Sequence, residues 1–258
     1  MAVEACEKCG GTGWVVVERE GLSGVDRCDC RAIERAKGLE GAAAIPPLYA
    51  HASLENFLLP SDNPIAKRQL EGVLLAVRSH AREYPNSQKP GLLLIGEAGT
   101  GKTHLAVAAL RMLMARGFEG LFFDYQNLLD RIRAGYDAAS GQSDKEAYRA
   151  ALDAEILLLD DLGAHRVTDW VEDTVTSIVT YRCNHQKPLI ATTNLADPDA
   201  GDVILERSAL LPAMVGYKVT LGERIGARAR SRLFEMCRVI RMPSVGDYRV
   251  RKAAERRY

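Results

Sequence analysis

The sequence predicts an α/β fold on a parallel sheet buried on both faces, preceded by a small cysteine-stapled module. Three observations carry this expectation. From Pro64 onward, short apolar runs alternate with helical patterns. Those runs are continuously apolar, as in parallel strands covered on both faces. A glycine-rich loop ending in Gly101-Lys102-Thr103 joins the first run to the next helix, while four of the six cysteines sit in the first 40 residues, where no long apolar pattern exists.

The elements follow in order. Residues 65–82 read as a helix. Leu92–Ile95, bounded by Gly91 and Gly96, reads as a buried strand. Lys102–Arg116 is a helix stopped at Gly117. Leu121–Asp124 is a second strand, followed by helical patterns over Gln126–Arg133 and 145–154. Ile156–Asp160 is a third strand, Trp170–Cys183 a helix and Leu189–Thr193 a fourth strand. Gly222–Met236 is expected as one helix and Arg238–Met242 as a fifth strand. Three zones result: a cysteine-rich module over 1–40, a linker over 41–63 and an α/β domain over 64–258. In and just after the linker, Pro46, Pro47, Pro60 and Pro64 restrict the backbone, and Leu48, Tyr49, Leu54 and Phe57 are placed to dock on a neighbouring surface.

Totals exclude some classes. Apolar residues are 47% and charged residues 26%, with a formal net charge of zero, so the sum gives no nucleic-acid signature. The distribution is uneven: acids outnumber bases over 119–173, whereas 222–258 holds eleven Arg or Lys against four acids. No apolar run approaches the roughly 20 residues of a membrane span. The start lacks a secretory pattern, so a cytoplasmic protein is expected and clustered cysteines point to metal rather than disulfides.

Gly96-Glu97-Ala98-Gly99-Thr100-Gly101-Lys102-Thr103 fits the phosphate-loop pattern G-x-x-x-x-G-K-[ST]. Its glycines let successive N–H groups turn inward onto phosphate oxygens. Lys102 reaches the β- and γ-phosphates, Thr103 can ligate Mg²⁺, and the following helix turns its positive end to the same point. His104 is counted with the loop as a nucleotide contact. ATP and Mg²⁺ are the ligands this pattern implies.

Ile156-Leu157-Leu158-Leu159-Asp160-Asp161 is an apolar strand ending in two carboxylates. Asp160 would hold the Mg²⁺ shell, and Asp161 would orient or deprotonate the attacking water. Asn194, after Leu189–Thr193, fits a group that senses the γ-phosphate, with Thr193 as the alternative. Residues 223–233 carry four arginines on one predicted helix. A permanently charged planar fork there suits a γ-phosphate across a subunit boundary. Arg232 is the first choice, with Arg228 and Arg230 as rivals; Arg249 is placed to contact the nucleotide of its own subunit.

Cys6-x-x-Cys9 and Cys28-x-Cys30 are separated by eighteen residues, with Trp14–Val17 between them as one arm of a hairpin. Four thiolates so spaced suit a structural zinc; free or redox thiols and an iron–sulfur cluster are the alternatives. So short a zone needs a staple. Cys183 and Cys237 are expected as ordinary buried cysteines in helices.

Ile45-Pro46-Pro47-Leu48-Tyr49, Ser53-Leu54-Glu55-Asn56-Phe57, GLLLIGEAGTGKTHLAVAAL, LLLDDLGAHRVTDW, YRCNHQKPLIATTNL, SRLFEMC and GDYR together resemble, in order, the DnaC/IstB-like AAA+ ATPases, over residues 44–252. The resemblance implies an AAA+ P-loop NTPase core with strand order 5-1-4-3-2 and ATP hydrolysis. It also implies ATP-dependent oligomerisation, single-stranded DNA binding by the core and a partner-binding N-terminal module. Two functions are open: a loader for a replicative DnaB-type helicase, or an IstB-like transposition helper acting on duplex DNA. A nucleotide kinase is disfavoured by the acid pair and the arginine-rich helix. Residues 125–150, with Arg131, Arg133, Lys145 and Arg149, lie where such proteins carry a DNA-steering insertion.

Overall fold

A computed structural model describes residues 6–19, 22–135, 144–197 and 219–248. It opens with an antiparallel hairpin, β1 (Trp14–Arg19) and β2 (Leu22–Arg27), in which Trp14 faces Arg27 and Val16 faces Val25. Helix α1 (Cys30–Ala42) follows at once and lies against the rest of the chain. Arg111 Nε donates to Glu40 Oε1 at 3.0 Å, and the Phe122 N–H to the Ala43 carbonyl at 2.8 Å. Of the linker side chains, Leu54 is buried and Tyr49 and Phe57 pack on the core, but Leu48 remains 83% exposed. It sits on a single 3₁₀ turn, Pro47–Tyr49, that turns it outward.

The remainder is a five-stranded parallel sheet. In chain order its parts are α2 (Pro64–Glu83), β3 (Gly91–Ile95), α3 (Lys102–Ala115), β4 (Gly120–Asp124), α4 (Tyr125–Ala134), α5 (Asp144–Asp153), β5 (Ile156–Asp160), α6 (Asp169–Asn184), β6 (Leu189–Thr193), α7 (Leu221–Ile225), α8 (Ala227–Met236) and β7 (Cys237–Arg241). The strand order is β4-β5-β6-β3-β7, so numbering only these strands gives 5-1-4-3-2, as expected.

Every residue of β3, β5 and β6 is buried, which is why these strands are apolar until Asp160 ends β5 and Thr192 and Thr193 end β6. Side chains alternate between two layers. Leu92, Leu94, Leu158 and Ile190 meet α2 and α3, while Leu93, Ile95, Leu157, Leu159 and Ala191 meet α4, α6 and α8. Local signals set the ends. Asn63 and Asp124 accept the Ala66 and Asn127 N–H groups as N-caps, at 2.9 and 2.8 Å. The expected helix 222–236 is in fact two. Gly226 has φ +82° and its Cα packs on Glu172, so α7 and α8 meet at a corner that a side chain would block. Cys237 accordingly begins β7 rather than ending a helix, and it is fully buried.

Arg182 of α6 is buried to 0% exposure. Its Nη1 donates to the carbonyls of Ala151 and Ala154 at 2.9 and 3.0 Å; its Nη2 donates to Pro188 and Glu155 at 2.7 and 3.2 Å. The guanidinium thus closes the C-terminal end of α5 and the entry to β6, and burial lowers its pKa to about 10. No described helix is long and apolar enough to cross a membrane.

Candidate functional site

The loop after β3 begins at the middle of the sheet. The Gly96 N–H donates to the Thr193 carbonyl at 3.2 Å, which ties the loop to the end of β6. Gly99 and Gly101 have φ of +76° and +92°, the left-handed values that let the chain curl. Glu97 and Ala98 form the exposed crest. Thr100 Oγ1 and Lys102 Nζ both donate to the Glu97 carbonyl, at 2.8 and 2.7 Å, so the buried lysine folds back over its own loop. Gly101 is the N-cap of α3, whose first N–H groups open onto the same place.

Two segments press on this loop from outside. Phe57 lies against the Gly101 Cα, and His104, one turn on, bonds the Ser53 carbonyl at 2.8 Å and meets the Phe57 ring edge-on at 5.5 Å. His104 is therefore tied to the linker. On the other side the chain after β7 returns: the Met242 N–H donates to the Ile95 carbonyl at 2.8 Å and the Tyr248 N–H to the Gly99 carbonyl at 3.1 Å, with the Asp247 side chain over Gly99. Arg249 lies outside the described residues.

The acid pair stands beside the loop because β5 and β6 are neighbours, with Leu159 opposite Ala191. Asp160 is 7% exposed and accepts from Thr192 Oγ1 at 2.6 Å. Burial raises its pKa. The Thr192 hydrogen bond opposes this, Asp161 adds to it, and a Thr103 hydrogen bond again opposes it. A buried carboxylate and a threonine hydroxyl so close form an oxygen donor set that fits Mg²⁺. Asp161 has φ +54°, and its carboxylate accepts from Asn194 Nδ2 at 3.1 Å. Thr193 Oγ1 instead bonds the Leu162 carbonyl at 2.8 Å.

The arginines of α7 and α8 separate. Arg230 forks onto Asp197, 2.5 Å to each oxygen, and stacks on Phe234. Arg232 pairs with Glu235 at 2.6 Å on the exposed face, and Arg228 is exposed. Sequence reasoning passed over Thr192 and Asp197. Both contacts depend on register and on a distant loop, and a lone threonine in an apolar strand carries no periodic signal.

At the other end of the chain, the four cysteine sulfurs lie within 4.8 Å of one another and can hold a metal ion. The hairpin brings them there. Cys6 and Cys9 form a tight knuckle in which the Gly10 N–H donates to the Cys6 carbonyl at 2.7 Å. The Cys28 N–H donates to the Gly13 carbonyl at 2.9 Å across the open end of β1 and β2, and Cys30 starts α1. The spacing of one residue between Cys28 and Cys30 is thus the step from strand to helix. A hydrogen bond from the Gly13 N–H lowers the Cys9 pKa to about 6, while the neighbouring Cys9 sulfur pushes Cys30 up to about 12. Four crowded sulfurs of which one ionises readily and another resists fit a cation in their midst.

Comparisons with known proteins agree with this geometry. The profile of the IstB-like ATP binding protein family matches residues 33–216. Among curated proteins, the phage-like element PBSX protein XkdC of Bacillus subtilis is 24% identical over 196 residues, covering 74% of this chain and 71% of the relative. The replicative helicase loader DnaC of Escherichia coli K12 is 22% identical over 152 residues, 59% of each chain. The chain thus spans about three-fifths of that loader's length, and 56% of a second Bacillus subtilis relative, YqaM. Among solved structures, the DnaC helicase loader aligns with TM-score 0.60 and 29% identity, over 77% of this chain and all of that one. DnaI aligns with TM-score 0.57 and 22% identity, over 78% and 95%. With a phosphate loop after β3, an acid-tipped strand two places away in the same sheet and a family profile over most of its length, this chain belongs to the IstB-like ATP-binding protein family and is an AAA+ P-loop ATPase.

Proposed function

We propose that this protein is an ATP-driven loader of a replicative, DnaB-type helicase and that it engages single-stranded DNA. The observation that carries the reading is the joining, through α1, of a four-cysteine head to a complete set of nucleotide-handling groups. Relatives named as replicative helicase loaders support it.

Lys102 and the first N–H groups of α3 bind the β- and γ-phosphates. Thr103 and Asp160 hold the Mg²⁺, which when bound neutralises charge building on the phosphate oxygens. Asp161 orients the attacking water and takes its proton. Asn194, whose amide donates to Asp161 Oδ1, would sense the γ-phosphate by exchanging that bond for one to phosphate. Arg232 reaches the nucleotide of a neighbouring copy in an ATP-dependent oligomer, exchanging Glu235 for phosphate. Arg228 is the rival; Arg230 is held by Asp197. Arg249 contacts the nucleotide of its own subunit.

Cys6, Cys9, Cys28 and Cys30 bind a structural zinc, since four sulfurs leave no open position for catalysis. Residues 1–40 form the partner-binding head, 41–63 the linker and 64–258 the motor, acting in the cytoplasm. Arg131 and Arg133 on the exposed face of α4, the second lying 4.7 Å from the half-buried Trp170 ring, offer cations of the kind that grip a single strand.

The test is a pull-down with the replicative helicase of the same genome, with ATP, using the full chain and a chain lacking residues 1–45. Helicase captured only by the full chain supports the loader. Capture of a transposase and not the helicase would overturn it in favour of a transposition helper.

A further inference from the structure

A hydroxyl group donates one proton and accepts with its lone pairs. Thr192 of β6 is fully buried. Its Oγ1 lies 2.6 Å from Asp160 Oδ1 and 2.9 Å from the Asp161 nitrogen. A carboxylate only accepts and a backbone N–H only donates, so both directions are fixed: Thr192 gives its proton to Asp160 and receives the N–H of Asp161. One oxygen therefore joins the side chain of the first acid to the backbone of the second. Two further bonds extend the clamp, from the Leu162 N–H to the Thr192 carbonyl and from Thr193 Oγ1 to the Leu162 carbonyl, both 2.8 Å.

The clamp sits where the backbone needs it. Asp161 has φ +54°, the left-handed region, which is uncommon for non-glycine residues though Asp tolerates it better than most, and here the Thr192 and Leu162 bonds hold it on both sides. The conformation aims the Asp161 carboxylate at Asn194. Thr192 itself is sealed inside the sheet and acts only through the two residues it ties.

We propose that Thr192 is a positioning residue for ATP hydrolysis, whose hydroxyl fixes Asp161 in the left-handed conformation that directs its carboxylate at the attacking water. This rests on the reading of Asp161 as the water-activating group. Displacement of such a group by about 1 Å costs on the order of 100-fold in rate without changing how phosphates are gripped.

The test compares Thr192→Val, of equal shape without the hydroxyl, with Thr192→Ser, which keeps it, in steady-state ATPase assays and in nucleotide binding without Mg²⁺. Thr192→Val is expected to lower kcat by about 10- to 100-fold with nucleotide Kd unchanged, and Thr192→Ser to restore most of the rate. In an Asp161→Asn background Thr192→Val should add only the small loss that follows from the missing Asp160 hydrogen bond, because the Asp161 part of the device is already disabled. If Thr192→Val does not fold, Thr192→Ala against Thr192→Ser gives the same contrast. Native kcat in the Val or Ala variant, a loss as large in Ser as in Val, or a multiplicative loss with Asp161→Asn each overturn the proposal. An active native protein, an inactive Asp161→Asn variant and a fully active Thr192→Val variant would sink this inference alone. A native protein without ATPase activity, or an active Asp161→Asn variant, would sink the reading beneath it.

Discussion

Lys102, Asp160 and Asp161 divide the work by environment. Lys102 is buried, and its Nζ donates to the Glu97 carbonyl at the phosphate end of the loop. Asp160 is buried on the sheet and Asp161 is half-exposed beyond it, which suits the first to a metal and the second to water. Lys102→Ala is therefore expected to abolish ATP binding, read by calorimetry with Mg-ATP; native affinity in that variant would refute the site. Asp161→Asn should keep the affinity and lose about 100- to 10,000-fold in turnover. Most of these residues were legible beforehand because a phosphate loop is contiguous in sequence. Thr192 was not, since its partners are 31 and 32 residues away and only the register of β5 on β6 brings them together.

At the scale of elements, α6 depends on Arg182. Its guanidinium answers carbonyls at the end of α5 and before β6 that no water can reach. Arg182→Met keeps the volume and orphans those carbonyls. The expected loss is about 3 kcal/mol, or roughly 10 °C in Tm for a chain of this size. Arg182→Lys should recover little, because one ammonium cannot span the positions a fork covers. A Tm within a degree or two of native for Arg182→Met would show that the carbonyls find other partners. The hairpin is held differently. It has an exposed apolar face, with Val16 and Val25 at 75% and 65% exposure, so little burial stabilises it. Chelating the zinc proposed for the four cysteines is expected to unfold residues 6–30 while the nucleotide site survives, read as protease sensitivity of the head with ATP affinity unchanged.

Across the whole molecule, acid should act through His80. It is 0% exposed on α2, and burial foremost, then the Arg238 charge, lower its pKa below the ordinary 6.5, against smaller upward pulls from Glu83 and from a backbone hydrogen bond at Pro90. The folded state keeps the ring neutral while the unfolded chain takes up a proton below about pH 6.5. Stability is thus full above that pH and falls as pH drops through the window beneath it. Melting curves at pH 7.5 and 5.5 should show a larger loss for native protein than for His80→Leu; equal losses would place the acid sensitivity elsewhere.

By itself the sequence determined the order and kind of the sheet strands and most helices from Pro64 onward, though not α1 or the break between α7 and α8, together with the phosphate loop, the acid-tipped strand and the cysteine spacing. Each of these is written in contiguous residues as an apolar run, a helical period or a motif. The strand order came only through the family resemblance; tertiary structure alone decided the register of β5 on β6, and with it the Thr192 clamp, and also the capture of Arg230 by Asp197, the tie of His104 to the linker and the corner at Gly226. These are contacts between residues distant in sequence. Register and packing set them, and a hydroxyl or a carboxylate carries no local mark of the partner it will meet.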